Sequence, residues 1–182
     1  MLGAAAFGKA DKKGTYPAAF LGAFAPDFSL YAMVAVSIWI MNIPADIVFH
    51  ELYYSDAWQS VFAIDNSFIL WGIGLSIALW RQSPVLVAFA ASGLLNLALD
   101  FPLHTQDARQ HFWPVTDWVF ESPVSYWDNN AHAGIVGPIA LTLSCGALVW
   151  IWRQVSSIWT RLFASALFLM ELLSSGIWRF VF

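Results

Sequence analysis

Apolar residues in this chain run in blocks rather than alternating, and the blocks are about the length needed to cross a hydrocarbon layer of about 30 Å. Four blocks predict membrane spans: about 17 to 43, about 60 to 80, about 84 to 101 and about 132 to 152. A fifth, about 158 to 180, is weaker because Glu171 falls near its middle and Arg179 near its end. The period-2 signature of a barrel strand is absent, and an open sheet edge is not tolerated in lipid. The pattern therefore predicts an all-α, polytopic integral membrane bundle of four to five transmembrane helices, with residues 1–182 forming a single domain.

Composition sharpens this picture. The chain is 59% hydrophobic, 17% aromatic and only 11% charged, with a mean hydropathy of +0.64, outside the range of soluble domains. A formal charge of -4 argues against nucleic acid as a partner and leaves the lipid bilayer, with other membrane proteins, as the expected surroundings. Cys145 is the lone cysteine, so no intrachain disulfide forms, and any metal would be held by nitrogen and oxygen ligands.

Charge also predicts orientation. Lys9, Lys12, Lys13, Arg81, Arg153 and Arg161 fall on one side of the spans, which should be cytoplasmic, leaving Arg109 and Arg179 on the other. The outer face then receives Asp46, Glu51, Asp56, Asp65, Asp107, Asp117, Glu121 and Asp128 with nearly all the histidines. Tyr53, Tyr54, Trp58, Trp113, Trp118, Tyr126 and Trp127 flank that cluster, while Trp80, Trp150, Trp152 and Trp159 mark the opposite boundary. This places the N-terminus in the cytoplasm and, for a bacterial inner membrane, the acidic face in the periplasm. The long connection 102–131 is dense in Asp, His, Trp and Pro, unlike a linker, and is expected to be a functional outer-face loop.

Each of the four histidines follows an aspartate by four residues: Asp46 and His50, Asp100 and His104, Asp107 and His111, Asp128 and His132. On a helix such pairs share a face, so the two side chains could ligate one metal, the carboxylate could orient the imidazole, or the two could simply be hydrogen-bonded. In LDFPLHTQDARQHFWP, the spacing of Asp100, His104, Asp107 and His111 would form one stripe, interrupted by Pro102; His104, Asp107 and His111 make the safer subset. Two imidazoles and a carboxylate suit a divalent metal such as zinc, iron or manganese. Asp128 and His132 fall at a helix start, where they could support a metal-bound hydroxide or a phosphate, or simply cap. Asp27 lies inside the first apolar block and needs a partner: a metal, a histidine, or the backbone of a helix opening after Pro26. Asp65 is expected to cap the second span, Glu171 to be paired inside the bundle, and Gly72, Gly74, Gly93, Gly134 and Gly137 to permit close helix contact. The sequence carries no G-x-S-x-G elbow, H-E-x-x-H motif or phosphate-cradling glycine loop.

On Pro26–Asp27 and on Leu99, Asp100 and His104 closing a span, the chain resembles the membrane-bound metal-dependent hydrolase-like family of bacterial inner-membrane proteins, a group related to the LexA-regulated membrane proteins of predicted hydrolase function. LDFPLHTQDARQHFWP and ESPVSYWD are similar to a subgroup carrying automatic cobalamin-biosynthesis labels. The resemblance covers about residues 1 to 152. It implies a metal-dependent hydrolase, and read with the residues above this gives His104, Asp107, His111, His132 and Asp27 toward the metal, Asp100 and Asp128 as catalytic or supporting carboxylates, and a phosphoester or lipid-like substrate. The chain departs from the family in opening MLGAAAFGKA, without the histidine usual there. The competing expectation is a non-catalytic accessory subunit of a respiratory or photosynthetic membrane complex.

Overall fold

The computed structural model describes residues 1–181, and the side chains through residue 173. Every regular element among them is helical. Four helical stretches are long and apolar enough to cross a membrane: Thr15–Ile40, Asp56–Trp80, Pro84–Leu103 and Ala133–Gln154. The protein is a multi-pass helical membrane protein. The last helix, α9 (Ile158–Val181), is about 36 Å long at 1.5 Å per residue, sufficient for a fifth span. It packs on α8 (Ala133–Gln154), and Ser144 donates to Glu171 at 2.7 Å, the pairing inside the bundle expected for that carboxylate. Arg179 lies outside the described side chains.

The first two spans are interrupted. In the first, α2 (Thr15–Phe24) tightens into a 3-10 turn at Ala25–Asp27, resumes as α3 (Phe28–Ala35) and widens into a π turn at Val36–Ile40. Pro26 removes one backbone donor at that tightening. The second divides into α5 (Asp56–Asp65) and α6 (Phe68–Trp80) at Asn66 and Ser67. Breaks expose backbone groups, and at membrane depth these must be satisfied by protein. Asn66 does this across both breaks, its Nδ2 donating to Pro26 O at 3.3 Å and Phe62 O at 3.0 Å. Ser67 caps α6 by accepting from Leu70 N at 3.1 Å, so the capping expected of Asp65 falls two residues later.

Away from the breaks, packing relies on small residues. The α2 helix lies along α7 (Pro84–Asp100), the most extensive helix contact in the fold, and α1 (Leu2–Phe7) rests against both. Ala4, Ala18, Ala19 and Ala88 are buried at this junction. A Cβ on Gly22 would sit 2.0 Å from the Phe89 carbonyl oxygen, and one on Gly93 would sit 2.2 Å from the Trp71 ring. Gly93 thus permits close contact as expected. Gly72, Gly74, Gly134 and Gly137 do not, since nothing lies within 4 Å of where their Cβ would be. Large side chains such as Trp39, Ile40, Ile73, Leu79, Ile135 and Ile139 point outward, as lipid-facing residues do. Trp80 and Trp159 are 80% and 78% exposed, consistent with a boundary belt.

Candidate functional site

The C-terminal part of α7 carries the first polar pair of the site. Asn96 and Asp100 are four residues apart, hence on one helix face, and Asn96 Nδ2 donates to Asp100 Oδ2 at 2.9 Å. The same amide donates to Asp27 Oδ2 at 3.2 Å, so one asparagine bridges carboxylates from two spans. This answers what Asp27 pairs with: an amide, and beyond it Arg109, whose Nη1 is 3.9 Å from Asp27 Oδ1.

After Asp100 the helix tightens into a 3-10 turn at Phe101–Leu103, where Pro102 has no N–H to continue the ladder, and His104 is extended. Ser122 fixes this corner by donating from its backbone N to His104 O at 2.8 Å and from its hydroxyl to Pro102 O at 2.7 Å. Asp107 then folds back on the chain. It accepts from Thr105 N at 3.2 Å and from Trp127 Nε1 at 3.1 Å, and it meets His104 Nδ1 at 2.7 Å. Burial works against the Asp107 charge, but the His104 contact and the N–H donors outweigh it and hold the carboxyl below its usual range. With Nδ1 committed to Asp107, Nε2 is the ring nitrogen left for chemistry.

These groups line a cavity of about 310 Å³ together with Tyr31, Tyr53, Tyr54, Phe49 and Trp127. Arg109 is a wall residue, 5% exposed, with its guanidinium over the Phe62 ring at 4.5 Å. Its Nε and Nη1 have no hydrogen-bond partner among the described residues. Burial disfavours its charge, but Tyr53, Asp27 and Asp100 outweigh that and push its value up, so it stays cationic. Burial pushes the Tyr53 hydroxyl up as well, keeping it neutral.

The structure brings Asp27, Asp100, His104 and Asp107 into one cavity but leaves the other expected ligands outside. His111 is buried beside Phe68 and Phe101, ring centroids 5.4 and 5.3 Å away, with Nδ1 donating to Arg109 O at 2.9 Å. Burial lowers its proton affinity, which suits this apolar cage. Its backbone carbonyl accepts from Phe68 N at 2.8 Å, tying the loop to the start of α6. His132 is exposed, in the left-handed conformation just ahead of α8. Asp128 caps a short turn by accepting from Asn130 N at 2.8 Å. His50 is exposed and bonds the Asp46 carbonyl, not its carboxylate.

The single helical stripe expected of Asp100, His104, Asp107 and His111 is therefore corrected, because residues 104–128 contain no α-helix for it to lie on, and at the helical Asp46–His50 pair the imidazole takes the carbonyl. Among the described residues no group of three or more His, Cys, Asp or Glu is arranged to hold a metal. The donor chemistry agrees: Asp107 is spent on three donors, Asp27 on Asn96 and Arg109, and a guanidinium stands in the cavity. The set does not fit the metal centre implied by the resemblance.

Asn96 was not foreseen from the sequence, Arg109 only as an outer-side charge, and Tyr53, Tyr54 and Trp127 only as boundary aromatics beside the cluster rather than as cavity walls. A lone Asn in an apolar span was a usable signal, since an amide there needs a partner. Set against known proteins, the chain matches no family model, no curated protein and no solved structure.

Proposed function

We propose that this protein is a membrane-embedded hydrolase in which His104, oriented by Asp107, is the general base. The observation that carries this is the 2.7 Å His104–Asp107 contact inside a cavity whose wall also carries the Arg109 guanidinium. A carboxylate on Nδ1 fixes the tautomer and stabilises the imidazolium that forms when Nε2 takes a proton. Water would attack the ester carbon or phosphorus as its proton passes to Nε2. The bond to the leaving oxygen then breaks, and that oxygen takes the proton back. Arg109 would stabilise the negative charge that develops on the attacked group.

A site between membrane-spanning helices, with Leu30 and Val34 in its wall, suits a lipid-like ester. The lysine and arginine distribution supports an outer-face site, which in a bacterial inner membrane would be the periplasmic side. A reporter fused after Asn130 reads this directly, and a cytoplasmic signal would reverse the orientation.

The enzymatic test uses purified protein in mixed micelles with fluorogenic carboxyl-ester and phosphodiester amphiphiles. The native protein should hydrolyse one class, and His104→Gln should lower the rate about 100- to 10,000-fold, the usual worth of a positioned base. Equal rates in the native protein and a folded His104→Gln variant would remove the assignment.

A further inference from the structure

The charge inventory of the cavity is unbalanced in a specific way. Three carboxylates, Asp27, Asp100 and Asp107, face one guanidinium. Asp107 is matched to His104, which leaves Asp27 and Asp100, joined through one Asn96 amide, against Arg109 alone. A purely anionic ligand would satisfy Arg109 but meet the paired carboxylates. A purely cationic one would suit the carboxylates but bring a second positive charge against the Arg109 guanidinium in the same cavity wall. A ligand carrying only one sign of charge therefore meets like charge in the cavity whichever way it sits. The walls add a third constraint, since Tyr31, Tyr53, Tyr54, Phe49 and Trp127 offer aromatic faces that attract an ammonium.

Taking these together, and resting on the hydrolase reading for what happens next, we propose that the cavity binds a zwitterionic headgroup. The anionic phosphate or carboxylate sits toward the Arg109 guanidinium, and the ammonium sits toward Asp27 and Asp100 among the aromatic rings. The 3.9 Å between Arg109 Nη1 and Asp27 Oδ1 is a contact too long for a hydrogen bond. It brings the cationic and anionic walls close enough for the two ends of one short zwitterion. Neither wall then needs a separate counterion.

The test measures affinity, by thermal stabilisation of the purified native protein in detergent, for four probes. These are dihexanoyl phosphatidylethanolamine, dihexanoyl phosphatidylglycerol, octylamine and water-soluble glycerophosphoethanolamine. The phosphatidylethanolamine should bind at least about tenfold tighter than either the anion-only or the cation-only probe, which corresponds to about 1.4 kcal/mol. Glycerophosphoethanolamine binding equally well would assign the site to a free zwitterion, and weaker binding would assign it to the lipid. Asp27→Asn should reduce phosphatidylethanolamine to the level of phosphatidylglycerol. Arg109→Lys, which keeps the charge in a buried position, should erase the preference over octylamine. Equal affinity for the three charge types in the native protein, tighter binding of phosphatidylglycerol, or no saturable binding would each overturn the proposal, whether or not the variants fold. His104→Gln should retain the phosphatidylethanolamine preference while losing hydrolysis, so failure of the catalytic reading and failure of this one give different results.

Discussion

One helix, α7, passes through two different kinds of protein. Its first half buries Ala88, Ala90, Ala91, Ser92 and Gly93 against α1, α2 and α6, with backbones in near contact. Its second half carries Asn96 and Asp100 into a cavity shared with the broken first span and the long loop. In lipid, where apolar tails compete equally for apolar side chains, the first half is held by close packing and the second by hydrogen bonds that have no substitute in the bilayer. The two halves should therefore fail differently. Substitutions in the packed half should change stability and leave chemistry alone, whereas those in the cavity should change chemistry first.

The largest expected effect is at His104. His104→Gln keeps a polar group of similar reach but removes the titrating nitrogen, and a loss of about 100-fold or more corresponds to at least about 3 kcal/mol of barrier. Its melting temperature should move little, because the Asp107 carboxylate keeps its Thr105 and Trp127 donors. A variant that unfolds before it loses activity would show that the pair is structural.

Next comes Gly22→Ala, the packed half's counterpart. The new methyl would meet the Phe89 carbonyl, which is backbone and cannot rotate away. Separation of α2 from α7 should cost about 1–3 kcal/mol, the range for overpacking, read as a lower melting temperature in detergent. Turnover per folded molecule should stay unchanged. If activity falls while stability holds, the two halves of α7 are not independent.

These two residues also mark what a sequence can disclose. The spans and the apolar match between them were legible because lipid imposes one rule over some twenty consecutive residues. Gly93 followed from the same logic, but Gly72, Gly74, Gly134 and Gly137 look identical in sequence and face open space, since which side of a helix meets a neighbour is settled by packing. Around the cavity, Asp27, Asp100, His104 and Asp107 were identifiable as chemistry-bearing types, yet their partners were not. The i, i+4 rule presumes a helix, and Pro102 followed by the Thr105–Asp107 turn replaces it with a loop in which His104 finds Asp107 three residues ahead. Arg109 was counted only as a loop charge, because its burial against Phe62 depends on contacts almost fifty residues apart.

A smaller effect should appear at His111, which holds the loop to the bundle without entering the cavity. Its proton affinity is lowered in the fold by burial, so the folded state binds fewer protons than the unfolded chain on acidification. The stability it contributes is fully present above its unfolded value of about 6.5 and declines as pH falls below it. Asp107 acts in the same direction at lower pH, its depressed value giving stability that is lost as pH falls below the usual carboxylate range. Melting temperature should therefore drop between pH 7 and 5.5 in the native protein. In His111→Phe, which keeps a ring between Phe68 and Phe101 but cannot be protonated, that part of the slope should vanish. A parallel slope in the two proteins would place the acid sensitivity elsewhere.

The smallest effect, and the sharpest control on the comparison, is Gly72→Ala or Gly134→Ala. Both glycines lie within helices at positions with open space where a Cβ would go, so an added methyl meets no protein atom. Alanine loses less backbone freedom on forming a helix, by up to about 1 kcal/mol in water, and less where lipid already enforces helicity. Melting temperature should stay level or rise slightly, in contrast to the fall at Gly22 for the same added methyl. If Gly72→Ala or Gly134→Ala destabilises as much as Gly22→Ala, something packs on those open faces in the membrane. That would reveal a surface that meets a second protein rather than lipid, and the accessory-subunit expectation would return on physical grounds.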